Sequence, residues 1–464
     1  MKIHFIGICG VAMSALARAL KQAGHTITGS DKGFFPPIST YLKNNDVSYY
    51  PGWHPEKMIQ DGVPDLVVVG NVAGSTNPEW IYVQEHNISY VSYPELIQKL
   101  FLKQQSIVCA GTYGKTSSAA LLSHILTQDH RDPSYMFGGL CIDQTPSAHI
   151  GNGEWSVLEG DEYKTARWDT RPKFAHYAPT HLLLTAIEWD HADVYPTAQA
   201  YYSAFDTLIS TVPPDGILII SERVQHVDIP SDRVVITYGL SDHTDYQYDN
   251  VVSNINGISF DIMHQNETFH IHSPLVSEYQ AENITGCFAL AHTIGIPPNE
   301  IIQTIQSHTG LKRRMEKRYD KNILVLDDIA HSPTKASSAL STARSITTGK
   351  IIAIFEPNTG NRHTTMASGY NHAFKDADTV IIPRLTVVKT CKGETQKPLD
   401  GAQLASIIAR THPDTHHIED DDTLIRTLVD KVQKNDTIIF LGSHGFRGMI
   451  ENVIQEISNK QGKK

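Results

Sequence analysis

The run from Ser106 to Leu126 constrains this chain more than any other. Ser106 to Ala110 reads as a short apolar strand, Gly111-Thr112-Tyr113-Gly114 as a glycine turn, and Lys115-Thr116-Ser117 as the opening of a helix rich in alanine and leucine. Strand, glycine loop, Lys-Thr and helix together wrap backbone N–H groups around phosphates. The lysine adds a point charge at the β/γ oxygens, and a hydroxyl of Thr116 or Ser117 can ligate Mg²⁺. The strict pattern G-x-x-x-x-G-K-[ST] wants glycine at position 109, where this chain has Cys109, so the loop is a shortened variant. The competing reading, a glycine turn without a ligand, leaves the flanking strand and helix unexplained.

Strand-like apolar runs alternate with helix-like segments almost throughout. The runs include Ile3 to Ile8, Leu66 to Val69, Leu182 to Ile187, Ile217 to Ile220, Ile323 to Leu326, Ile351 to Phe355, Val380 to Ile382 and Thr437 to Leu441. Helical periodicity appears at Val11 to Ala23, Thr116 to Leu126, Ala198 to Val212, Ala281 to Ile294 and Lys335 to Ser345. This alternation predicts an α/β fold with parallel sheets covered on both faces. A chain of 464 residues exceeds one hydrophobic core. Cuts near Lys103 and in the charged stretch Arg314 to Asp320 give three units: a Rossmann-like unit over 1–103, a central P-loop unit over 104–314 and a Rossmann-like unit over 315–464. Tyr238 to His272 alternates like antiparallel strands and is placed as a β-rich insertion in the middle unit. The tail Ser458 to Lys464 is polar and expected to fray.

Two further features bear on ligands. Gly7-Ile8-Cys9-Gly10-Val11-Ala12-Met13 follows the first strand and opens a helix, where free N–H groups and a positive dipole end suit a pyrophosphate. Asp31 follows the next strand-like run, where an acid commonly bonds a ribose hydroxyl. The motif lacks the third glycine of G-x-G-x-x-G and does not distinguish NAD from a UDP-sugar; a bare βα turn is the bland alternative. Beyond the phosphate loop, Trp155 to Leu158 runs into Glu159-Gly160-Asp161-Glu162-Tyr163, and Leu182 to Ile187 into Glu188-Trp189-Asp190-His191-Ala192-Asp193. Singly these are solvated acidic loops. Beside a phosphate loop they suit oxygen and imidazole ligation of Mg²⁺ near a triphosphate.

Composition removes other classes. A net charge of -11 does not suit nonspecific binding to nucleic acid or anionic membranes. No apolar run approaches a membrane span, and Met1 to Gly7 does not have the shape of a signal peptide. Five dispersed cysteines (Cys9, Cys109, Cys141, Cys287 and Cys391), with no pair at metal-ligand spacing, are expected as reduced thiols in a cytoplasmic protein.

Together these residues resemble the Mur ligase family, the ATP-dependent amide-forming enzymes of peptidoglycan synthesis, over nearly the whole chain. Gly111 to Ser117 is similar to the family's G-T-x-G-K-[ST]-[ST] loop, with Tyr113 where the closest subgroup has histidine. Leu158 to Tyr163 resembles E-A-D-E-Y, Trp189 to Asp193 D-H-[AM]-D, Lys312-Arg313-Arg314 a K-R-R segment, and Asp327 to Thr334 D-D-[FY]-[AG]-H-H-P-T. The resemblance implies a substrate carboxylate that attacks the γ-phosphate of ATP, an acyl phosphate, and attack on it by an amine. It implies ATP contacts at Gly111, Thr112, Gly114, Lys115, Thr116, Ser117, Arg314 and Asp328, with metal-linked side chains at Thr116, Glu159 and His191. Asp328 and His331 would touch ATP ribose or the amine, and His331 is a candidate base. The glycine turn becomes a UDP-sugar site formed by Gly7, Gly10, Met13, Ser30, Asp31 and Asn71. In the adenine-contacting segment, Tyr279-Gln280-Ala281-Glu282-Asn283 keeps only Asn283 of His-Asn-x-x-Asn.

Two subgroups join an amine to the lactyl carboxylate of UDP-N-acetylmuramate: one adds L-alanine, the other a recovered murein tripeptide. Phe35 to Thr40, Asp161 to Tyr163, Arg171 to Tyr177 and Gly445 to Gly448 look more like the tripeptide subgroup. A dehydrogenase on the Gly7 turn would leave Lys115 and the Glu159/His191 pair unused. A nucleotide-gated binding module would perform no chemistry.

Overall fold

The computed structural model describes residues 1–34, 38–190, 194–386 and 398–462. Phe35, Pro36 and Pro37 of the subgroup motif, His191 and Asp193 of the second acidic segment, and Cys391 lie outside them.

Three sheets carry the chain. The first holds, in spatial order, Ser48–Pro51, Thr26–Asp31, Lys2–Ile6, Leu66–Val69 and Tyr90–Val91, all parallel. The second has ten strands, running Glu267–Ser273, Gly257–His264, Tyr246–Asn254, Val234–Gly239, Ile217–Ser221, His181–Leu184, Gln105–Ala110, Trp155–Gly160, Ser134–Met136 and Ala148–His149. The third orders Glu316–Asp320, Leu324–Asp328, Thr437–Gly442, Ile351–Glu356, Thr379–Pro383 and Thr415–Ile418. Their central strands are continuous apolar runs because helices cover both faces; Ile107, Val108, Cys109 and Ala110 are all fully buried. The α/β expectation is met.

The chain forms two compact units. One comprises Met1–Val251, Ser259–Ser273 and Tyr279–Gly310 and contains the first sheet and most of the second; the other comprises Val252–Ile258, Pro274–Glu278 and Leu311–Lys464 and contains the third.

Three local expectations need correction. The β-rich insertion is not antiparallel from its start: Tyr238 and Gly239 pair in parallel with Tyr246 and Gln247. The connection between them is pinned by two carboxylates. Asp245 accepts from the backbone and hydroxyl of Thr237 (2.8 Å each), and Glu222 accepts from the Leu240 and Ser241 amides. The two-residue connections at 255–256 and 265–266 then make successive hairpins. The charged stretch before the third unit is itself the strand Glu316–Asp320, antiparallel to Leu324–Asp328. The tail does not fray at Ser458: the last helix runs Met449–Gly462, with Val453 and Ile457 buried and Lys460 Nζ donating to the Val429 carbonyl at 2.7 Å.

Candidate active site

Parallel register brings three chain segments to the phosphate loop. Cys109 pairs with Glu159 and Ala110 with Gly160 on one side, while Ala110 pairs with Leu184 on the other. The loop therefore starts between the acidic end of Trp155–Gly160 and the segment Thr185–Ala186. Cys109 stands where a strict loop has glycine because it is still strand, fully buried, with its thiol pushed well up by burial. The turn begins at Gly111.

Gly111 (φ +137°) and Gly114 (φ +82°) take backbone conformations that side chains resist. A Cβ on Gly111 would lie 2.1 Å from Thr185 Oγ1, and one on Gly114 2.3 Å from Asn283 Oδ1. Gly114 is the N-cap of the helix Lys115–Gln128 and has no side chain to occupy the first-turn N–H groups, which leaves them to an anion. Thr112 ties the loop down: its amide donates to the Ala186 carbonyl (2.7 Å), and its hydroxyl contacts Glu188 backbone (2.8 Å) and Tyr201 Oη (2.9 Å). We expect Gly114→Ala to combine a left-handed backbone penalty of about 1–2 kcal/mol with the Asn283 contact. Titration with a non-hydrolysable ATP analogue should show affinity reduced by about tenfold or more. Unchanged affinity would contradict the cradle.

Lys115 curls over its own loop. Nζ donates to the Gly111 carbonyl at 2.6 Å and pairs with Glu162 at 2.9 Å; the two side chains are 12% and 2% exposed. Thr116 Oγ1 donates to Glu159 Oε1 at 2.7 Å, and the other Glu159 oxygen accepts from the Gly138 amide at 2.5 Å. Ser117 follows, half-buried. Lys173 pairs with Asp161 and lies over the Tyr93 and Tyr163 rings (5.5 and 5.6 Å). Burial would raise the Asp161 pKa, but the charge and hydrogen bond of Lys173, the Tyr163 amide and the charge of Lys115 hold it below the ordinary value. Among the described residues no three His, Cys, Asp or Glu side chains converge as a complete metal shell. Thr116 and Glu159 are nonetheless a contiguous pair of oxygen donors, and Mg²⁺ commonly takes one or two protein oxygens and completes its shell with phosphates and water. The pair therefore fits that cation.

At the glycine turn, Gly7 and Ile8 amides donate to the Ser30 carbonyl (2.8 and 3.1 Å), and Asp31 Oδ2 accepts from the Cys9 amide at 2.9 Å. Gly10 caps the helix Val11–Gln22 without a side-chain bond. Met13 and Ser30 are buried, so their side chains support the turn, while Asn71 is exposed on the connection after Leu66–Val69. Beneath lies an acid that sequence reading passed over. Glu79, fully buried, accepts from Tyr50 Oη (2.7 Å), the His54 amide (2.8 Å) and Ser30 Oγ, with His4 Nε2 at 3.6 Å.

The second unit carries the remaining expected residues. Arg313 is spent internally: its guanidinium donates to the carbonyls of Gly442, Ser443 and His444, which leaves Arg314 as the exposed arginine of the pair. Asp328 accepts from the Met315 and Ala330 amides (2.8 Å each); burial nevertheless raises its pKa. Burial likewise lifts Asp327 to about 6, against the charges of Arg313 and Arg318. His331 Nδ1 sits 2.7 Å from the Ile329 carbonyl, so in the neutral ring it donates there and the lone pair falls on Nε2.

A strand-end phosphate loop with an acid–hydroxyl pair, a separate glycine turn and a third, mostly parallel sheet define a nucleotide-dependent enzyme of several α/β domains. Family models match three successive segments: "Mur ligase family, catalytic domain" at residues 2–105, "Mur ligase middle domain" at 109–291 and "Mur ligase, glutamate ligase domain" at 313–444. The chain belongs to the Mur ligase family, a family of ATP-dependent amide ligases. It is 30% identical to the UDP-N-acetylmuramate–L-alanyl-γ-D-glutamyl-meso-2,6-diaminoheptandioate ligase of Escherichia coli, over 99% of both chains. It is 27% identical to the UDP-N-acetylmuramate–L-alanine ligase of Agrobacterium fabrum, over 99% of this chain and 98% of that one. Among solved structures it is similar to a murein peptide ligase from Psychrobacter arcticus (TM-score 0.71, 25% identity, 99% of both chains). It shares its fold with a UDP-N-acetylmuramate-alanine ligase from Thermotoga maritima (TM-score 0.80, 21% identity, 100% of both chains). Family membership sets aside the dehydrogenase and the non-catalytic binding module. Among the described residues no helix is long and apolar enough to cross a membrane.

Proposed function

We propose that this chain joins the lactyl carboxylate of UDP-N-acetylmuramate to the amine of the tripeptide L-Ala-γ-D-Glu-meso-diaminopimelate, with hydrolysis of ATP to ADP and phosphate. The observation that carries the reading is the pairing, within one compact unit, of a phosphate loop bearing Lys115 and Thr116 with a second, glycine-turn nucleotide site. The carboxylate attacks the γ-phosphorus, ADP leaves, and an acyl phosphate forms. The amine then attacks the acyl carbon, and phosphate leaves from the tetrahedral intermediate. Such phosphoryl transfer rests on positioning and charge neutralisation. Lys115 and the first-turn amides hold the phosphates, Arg314 adds positive charge, and Asn283 packs against the loop beside the nucleotide. His331 Nε2 takes the proton of the incoming amine, and Asp328 fixes the backbone leading to it. Mg²⁺ held by Thr116 and Glu159, with His191 as the third side chain, would neutralise phosphate charge. Gly7, Gly10, Met13, Ser30, Asp31 and Asn71 form the UDP-sugar site. The reaction is assigned to the cytoplasm, where thiols stay reduced.

The tripeptide is favoured by the motifs at Asp161 to Tyr163, Arg171 to Tyr177 and Gly445 to Gly448. L-alanine is the second reading, favoured by likeness to L-alanine ligases over almost the whole chain. The test supplies ATP, Mg²⁺ and UDP-N-acetylmuramate with either amine and weighs the product. A mass increase with the tripeptide is expected; an increase with L-alanine alone would select the second reading, and no new UDP-sugar product with either would refute both.

A further inference from the structure

Between the acidic strand end and Lys173 the chain makes a hairpin that the reaction above does not use. Lys164 bridges Pro172, and the Thr165 amide and hydroxyl both donate to the Arg171 carbonyl at 2.9 Å. Ala166 and Asp169 exchange backbone bonds of 3.0 and 3.3 Å, which puts Arg167 and Trp168 at the tip. Asp169 braces the arms through Arg171 (2.7 Å) and His176 (3.2 Å).

The tip reaches the sheet that carries the glycine turn. Trp168 is 40% exposed, yet its ring stacks on Trp80 (centroids 5.0 Å apart, 22° between planes) and meets Tyr90 edge-on (5.4 Å, 81°). Trp80 and Tyr90 are themselves T-shaped at 4.6 Å. Arg167 Nη2 lies 4.0 Å from where a Cβ on Gly74 would stand, just past Asn71. Trp80 directly follows Glu79, the acid that gathers Ser30, Tyr50 and His54 under the glycine turn. The other end of the hairpin starts right after Glu162, the partner of Lys115. One rigid element thus spans from the phosphate-loop lysine to the support of the other nucleotide site. A reacting carboxylate displaced by about 1 Å loses about a hundredfold in rate, so the spacing of the two sites matters directly.

We propose that the hairpin 164–172 is a clasp that sets the distance between the sugar-nucleotide site and the phosphate loop, with Trp168 the positioning residue. The inference rests on reading the glycine turn as the UDP-sugar site. Removing the Trp168 ring frees the helix Pro78–Glu85 and the connection bearing Asn71 to move against the phosphate loop, while the loop keeps its own bonds to Thr185, Ala186 and Glu188.

The test is steady-state kinetics of Trp168→Ala and Trp168→Phe in the full-length protein. For Trp168→Ala kcat should fall by up to about a hundredfold, the KM for ATP should stay within about twofold, and Trp168→Phe should restore most of the loss. An unchanged kcat, or a fall in kcat accompanied by equal rises in both KM values and a lowered melting temperature, would overturn the clasp. Wild-type protein that makes no UDP-sugar product refutes the function and this inference with it; normal wild-type turnover beside an unaltered Trp168→Ala variant refutes the clasp alone.

Discussion

Replacing Lys115 with Met is expected to lower ATP-dependent product formation by about a thousandfold, the scale of losing one preorganised charge at a reacting group. The structure adds a second consequence. Lys115 is the ion-pair partner of Glu162, whose side chain is almost fully buried, so the single substitution removes the cation beside a buried carboxylate. Breaking a buried pair from one side costs about 3–5 kcal/mol, enough to confuse lost catalysis with lost fold. The double variant Lys115→Met/Glu162→Leu separates them. It should recover most of the melting temperature, because an apolar pair can replace a buried ion pair at little cost, and remain as inactive as the single variant. Phosphate release and product mass, read beside thermal melts, decide it; recovered turnover in the double variant would mean Lys115 serves the fold and not the phosphates.

The parts of this site that could be read from the chain are those whose demands are local. Gly111, Gly114, Lys115 and Thr116 lie within six residues, and the positive φ at the two turn positions is a local backbone demand that glycine meets. Strand and helix runs were legible for the same reason, since periodicity is a property of ten or fifteen residues. What escaped depends on partners far along the chain. Glu162 reaches Lys115 across 47 residues, and Glu79 reaches Ser30 across 49. Asn283, singled out for adenine by resemblance, packs its amide oxygen against Gly114, a contact that exists only because two helices lie side by side. The parallel pairing of Tyr238 with Tyr246 escaped because alternation reports which face a residue shows and not which way the neighbouring strand runs.

Glu79 supplies the second large expected effect, on stability and its dependence on pH. Its carboxylate is fully buried and answers three donors with a histidine beside it. Burial alone would raise its pKa, but the His4 imidazole beside it and the hydrogen bonds from Ser30 and Tyr50 hold it below the ordinary glutamate value. A group whose pKa is depressed on folding stabilises the fold above its unfolded pKa, about 4.3, and that contribution drains away as pH falls through the lower folded value. Glu79→Ala leaves the buried Ser30 Oγ and the His54 amide without their acceptor, at about 1–3 kcal/mol for each stranded group. At pH 7 the Leu66–Val69 and Pro78–Glu85 amides should lose hydrogen-exchange protection, and affinity for UDP-N-acetylmuramate should fall because the Ser30–Asp31 segment loses its support. Glu79→Gln isolates the charge. Its protection should change less than that of the wild type between about pH 5 and pH 3, since the amide has no proton to take up. A wild-type profile flat through that interval, or a Gln variant that tracks it, would show that Glu79 holds this lobe by shape and not by its charge.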